Sequence, residues 1–163
     1  MTRQTALDAL WKRLFFIFAL LLSISITLAS FTNSYTVPLI VFITGNIGGY
    51  VGFHRRLANL ADTEIQDLAQ SWFAMALPSF IGGILACLLY IIFISGIAEG
   101  TLFPKISPDN DCAPENLQRF VEIFCQHADG YPAYAKLLFW SFVAGFNQNY
   151  VVDLIETMKK RAE

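Results

Sequence analysis

Histidine occurs twice in the 163 residues, at His54 and His127, and cysteine three times, at Cys87, Cys112 and Cys125. Neither type clusters. No CxxC pair is present, which leaves no zinc-ligand spacing, and no Walker, GxGxxG or HExxH pattern occurs. Neither histidine neighbours a Ser or Cys in a nucleophile motif, and the carboxylates are scattered as on a solvated face rather than paired for acid–base work. No catalytic residue, metal site or cofactor is therefore expected, and the chain does not read as an enzyme. Strong charge of either sign is also lacking, the formal net charge being −2. Basic residues cluster only at Lys12-Arg13, Arg55-Arg56 and Lys159-Lys160-Arg161. Such a pattern argues against a polybasic surface for DNA, RNA or anionic lipid, and reads instead as a set of topology signals.

Charge is wholly absent from three long runs, residues 14–31, 37–53 and 73–96, which contain no Lys, Arg, Asp or Glu. With 55% hydrophobic residues and a mean hydropathy of +0.50, the chain lies outside the range of ordinary soluble domains. A run of about 18 apolar residues crosses roughly 30 Å of hydrocarbon as a helix that satisfies its own backbone. The three runs are accordingly expected to be transmembrane helices in a lipid bilayer. Cleavage of the first as a signal peptide is the alternative. It is disfavoured because the stretch is long for an h-region and leads into a second run, not into a mature domain. Ahead of it, Ala6, Leu7, Leu10 and Trp11 share one helical face that suits the membrane interface. The polar turn 32–36 joins the first two spans as a hairpin.

The second run is rich in glycine. Gly45 and Gly49 form one small-xxx-small pair and Gly48 and Gly52 another, a spacing that lets helix backbones approach closely in lipid. Asn46 lies among them, and an amide at that depth either packs within one chain or lines a pore or a contact between subunits. Residues 57–71 then read as an amphipathic helix leading into the third run. There Pro78 is placed to kink the helix, and Gly82-Gly83 offers a further close contact.

From Glu99 the composition changes. Residues 100–114 are turn-rich, with Pro104, Pro108 and Pro114, and a helix is expected from Pro114 to about His127. Gly130-Tyr131-Pro132 breaks it, and a last helix is expected from Tyr134 to about Arg161. Its apolar part, residues 137–146, is half the length a bilayer needs, bounded by Lys136 and by Asn147, Gln148 and Asn149. It reads first as the core helix of a small soluble domain. The distribution of positive charge opposes this, because a cytoplasmic N-terminus and a cytoplasmic second loop leave the C-terminal region outside after three spans. A fourth crossing at 133–152 would return Lys159-Lys160-Arg161 to the cytoplasm and set Cys112 and Cys125 outside, where they could pair. Both topologies remain open at this level. Amides and aromatics concentrate near this helix at Tyr131, Tyr134, Trp140, Asn147, Gln148, Asn149 and Tyr150. Amides pair with adenine edges and rings stack on bases, whereas core or interfacial packing accounts for the aromatics equally simply.

The string Trp140-Ser141-Phe142-Val143-Ala144-Gly145-Phe146, followed by Tyr150-Val151-Val152-Asp153-Leu154-Ile155, is similar to a tail in small bacterial membrane proteins. There Ser-Glu-Arg commonly replaces Asn147-Gln148-Asn149. The overall plan resembles the cyclic tetra-adenylate-gated membrane effectors of type III CRISPR systems. That resemblance implies an all-α fold with three N-terminal spans (residues 1–98) and a small helical C-terminal ligand-sensing domain (residues 99–163). It further implies a homotetramer in the bacterial inner membrane, with a cytoplasmic C-terminal domain that binds cyclic tetra-adenylate and makes the spans open a pore or disrupt the bilayer. The ligand residues would be Asn147, Gln148, Asn149, Tyr150, Lys136, Arg119, Tyr134 and Trp140. The faces formed by Gly45, Asn46, Gly48, Gly49 and Gly52 would be the bistable contact or the pore lining. The alternative from the residues alone is a four-span accessory subunit of a membrane transport or channel complex, with no nucleotide ligand.

Overall fold

The computed structural model describes residues 3–29, 36–57, 72–108 and 126–149. They form α1 (Arg3–Ala29), α2 (Thr36–Leu57), α3 (Trp72–Ile94), β1 (Ile106–Pro108), β2 (Gln126–Ala128) and α4 (Gly130–Phe146). The long apolar runs become helices because a helix leaves no backbone group unpaired along its length. Pro38 is tolerated in the first turn of α2, where its missing N–H has no helical partner anyway, and His54, Arg55 and Arg56 close that helix at its negative pole. Gly96 stops α3. Its φ of +68° is a conformation that L side chains resist, and its N–H bonds back to Phe93 O at 3.2 Å.

Contacts between named residues fix the directions of the helices. Phe18 of α1 stacks on Tyr50 of α2 with ring centroids 5.2 Å apart. In a parallel pair the end of α1 and the start of α2 would stand roughly 37 Å apart at 1.5 Å per residue. The chain between Ala29 and Thr36 reaches at most about 25 Å, so the pair is antiparallel. Gly45 of α2 faces Gly82 and Ala86 of α3, while Gly49 faces Pro78 and Ser79, so α3 also runs against α2. Gly48 faces Phe142 and Gly52 faces Phe146, so α4 runs along α2 in the same direction.

One core serves α2, α3 and α4: Val37 and Val41, Ala86, Leu89, Tyr90 and Phe93, then Leu137 and Ala144. The segment expected to open a separate C-terminal domain thus packs, through α4, on the two apolar helices before it. Large side chains point outward, among them Phe15 and Phe16 on α1, Phe73, Phe80 and Ile91 on α3, and Phe139 on α4. Glycine, alanine and serine fill much of the inside. That is the opposite of a water-soluble bundle and suits a surrounding that is itself apolar.

Several sequence expectations need adjustment. The interfacial segment before the first span is not separate from it, because α1 is one helix from Arg3 to Ala29. Among the described residues, two helices, α2 and α3, are long and apolar enough to cross a membrane. Gln126 and His127, expected to end a helix, lie in β2, where Ile106 pairs with Ala128 and Pro108 with Gln126 in an antiparallel ladder. The last helix begins four residues earlier than expected, at Gly130, with Pro132 in its first turn. The expected helix 57–71 beyond Leu57, the segment 109–125 with Cys112, Arg119 and Cys125, and everything from Tyr150 onward lie outside the described residues.

Candidate functional site

The glycines of α2 form two stripes. At 3.6 residues per turn, positions three apart lie about 60° from each other around a helix, which is also the angle between the two neighbours of any helix in a triangle of three. The stripe of Gly45 and Gly49 takes α3, and the stripe of Gly48 and Gly52 takes α4. A methyl group on Gly49 would sit 2.8 Å from Pro78 O, and one on Gly52 would sit 2.6 Å from Phe146 O. On Gly48 it would collide with Phe142 O. From the other side Gly145 of α4 enters the same junction, facing Gly45, Gly49 and Gly82. The glycine faces are therefore occupied within one chain.

Polar groups at the junction are bonded within it. Asn46 and Ser79 are each 5% exposed. Asn46 Nδ2 donates to Phe42 O at 2.8 Å, and Ser79 Oγ donates to Asn46 O at 2.7 Å. These are the bonds of a packing amide inside one chain. Gly83 makes room for them, since any side chain there would strike Asn46 Nδ2. Ser79→Ala should lower stability in detergent by about 0.6 kcal/mol, the usual worth of such a bond between apolar helices. The unfolding midpoint in sodium dodecyl sulfate measures it, and an unchanged midpoint would deny the bond any role.

The candidate ligand residues separate into two groups. Lys136 Nζ donates to Thr101 O at 2.6 Å, and Trp140 Nε1 donates to Leu102 O at 2.9 Å. The Trp140 ring lies between Phe103, at 5.4 Å, and Phe139, at 5.7 Å. Tyr134 is half-buried against the core. Lys136 and Trp140 bind a strap, residues 96–105, to α4. Beside it is a cavity of ≈ 750 Å³ between the end of α3, the strap and the start of α4, lined by Glu99, Lys105, Asp129 and Lys136 together with apolar groups.

Asn147, Gln148 and Asn149 occupy the other end of α4. Asn147 ends the helix at φ −118°, ψ 75°, and Gln148 Nε2 donates to Pro78 O at 2.8 Å. Lys136 and Asn147 are about 16 Å apart along the axis, so one chain does not bring the two groups to one ligand. Tyr150 and Arg119 lie outside the described residues. Sequence reasoning missed the anchoring roles of Lys136, Trp140 and Gln148, and it missed Arg55, whose guanidinium lies 5.4 Å from the centre of the Phe146 ring. It also left Gly145 unused. The stripe Leu137, Ser141, Ala144 and Gly145, all buried, was the available signal that α4 meets another helix closely.

No family model, curated protein or solved structure matches the chain. Among the described residues, no three His, Cys, Asp or Glu side chains gather as they would around a metal ion.

Proposed function

We propose that the protein is a non-enzymatic accessory subunit of a membrane assembly, crossing the bilayer four times, with α4 as the last crossing. The register of α4 on α2 carries this reading. Gly48 meets Phe142 and Gly52 meets Phe146, an offset of 94 residues. At the same offset Gly130 stands level with Thr36, and Asn149 with Arg55. Over its 17 residues α4 lies level with Thr36 to Gly52 and so shares most of the depth that α2 crosses. Lys12, Arg13, Arg55 and Arg56 lie at one pole of the α1–α2 pair, which by the distribution of positive charge is the cytoplasmic side. Lys136, a residue type that favours the water–lipid boundary, lies level with Phe42 in the half of α2 away from those charges. Its work is then to present a rigid helix face to neighbouring subunits, and it needs no nucleotide.

Cysteine labelling tests the crossing. In a chain whose own cysteines are replaced by alanine, Tyr131→Cys, at a side chain 93% exposed, should react with an impermeant maleimide on intact cells. Asn149→Cys should react only after permeabilisation. A cytosolic sensor of cyclic tetra-adenylate requires both positions to be shielded in intact cells, and that pattern would overturn the four-crossing reading.

A further inference from the structure

Basic residues that are remote in sequence meet at the bundle's cationic pole. Because α1 and α2 are antiparallel and joined by the Phe18–Tyr50 stack, Lys12 and Arg13 come beside the last turn of α2, with His54, Arg55 and Arg56. Lys12, Arg55 and Arg56 are exposed. Immediately below on α1, Phe15 and Phe16 are 71% and 61% exposed, so apolar surface continues from the charges toward the middle of the bundle. Arg55 is held over Phe146, which restrains its guanidinium at the rim rather than leaving it to the solvent.

We propose that this pole binds the headgroup phosphate of an anionic phospholipid of the cytoplasmic leaflet, with the acyl chains lying along Phe15 and Phe16. Cations placed above an apolar face complement a lipid that has its phosphate above its hydrocarbon, and each Lys or Arg near an anionic surface favours binding roughly fivefold. The inference rests on the membrane reading and deepens it by naming the lipid class. It reverses the expectation from sequence that the basic clusters serve topology alone. They appear sparse along the chain, and the α1–α2 pairing concentrates them.

The test uses the full chain in nanodiscs of phosphatidylcholine and phosphatidylglycerol, with native mass spectrometry of the lipids retained on release. Wild type should retain phosphatidylglycerol about fivefold above its share in the disc. The triple variant Lys12→Gln, Arg55→Gln, Arg56→Gln should lose that enrichment, Lys12→Arg with Arg55→Lys and Arg56→Lys should keep most of it, and Lys105→Gln at the opposite pole should leave it unchanged. Wild type that assembles into discs yet retains the two lipids in the disc ratio overturns the proposal and leaves the membrane reading standing. Wild type that carbonate strips from membranes overturns both.

Discussion

Gly145→Ala should unseat α4 and destabilise the bundle by about 3 kcal/mol, the upper part of the range for overpacking a filled interior. The added methyl group would strike the carbonyl oxygen of Gly45 and approach Gly49 N and Gly45 C. All of these are backbone or Cα atoms, so no side chain can rotate away. The only relief is for α4 to move off α2 and α3. That movement also opens the contacts of Gly48 with Phe142 and of Gly52 with Phe146, and in lipid no hydrophobic force drives the helices back. Leu138→Ala, on the outward face of the same helix, changes more atoms and should alter stability far less. The measurement is the midpoint of unfolding in sodium dodecyl sulfate for both variants. A Gly145→Ala midpoint equal to that of Leu138→Ala would show that α4 is not packed at the glycine junction.

Much of that junction could be seen in the sequence, but its partner could not. The paired spacings Gly45/Gly49 and Gly48/Gly52 mark close helix contacts by themselves, and the uncharged runs mark α2 and α3. Nothing local says that the second glycine stripe meets a helix 94 residues further along. The length argument assigned that helix to a separate C-terminal domain, because Lys136 and the amides at 147–149 interrupt the apolar count, whereas α4 packs on α2 and α3. The structure gives two of those interruptions partners: Thr101 O accepts from Lys136, and Pro78 O accepts from Gln148. A polar side chain whose donor is used inside the protein no longer marks the end of a buried helix. The strand at Gln126 and His127 was hidden for a similar reason, since its ladder partner is β1, about twenty residues earlier. Propensity carries no information about pairing over that separation.

The inward small residues and outward large ones make one physical point about the helices. In water the exposed Phe15, Phe73, Phe80 and Ile91 would drive aggregation, and the glycines facing one another would bury too little apolar area to hold a bundle together. In an apolar surrounding, exposure of the large residues carries no penalty. Cohesion then comes from dispersion between closely approaching backbones and from a few internal hydrogen bonds. The same sequence pattern is therefore a defect in one solvent and a design in the other.

Trp140→Ala should release the strap and destabilise the protein by about 2 kcal/mol, less than removing a fully buried aromatic ring because the indole is half-buried. The indole does two things at once. Its ring extends a stack from Phe93 through Phe103, with centroids 5.7 Å apart for that pair, and its N–H satisfies Leu102 O. Trp140→Phe separates the two, because it keeps the ring contact and removes the donor, and should lower stability by about 1 kcal/mol. Protease cleavage within 96–105 reads the strap directly, and the rate should rise in the order wild type, Trp140→Phe, Trp140→Ala. Lys136→Met, which loses the bond to Thr101 O but no aromatic contact, should fall between wild type and Trp140→Ala. Equal cleavage rates in all four proteins would mean that Gly96, Pro104 and the β1–β2 ladder hold the strap without α4. The cavity beside it would then owe its shape to the chain turns alone.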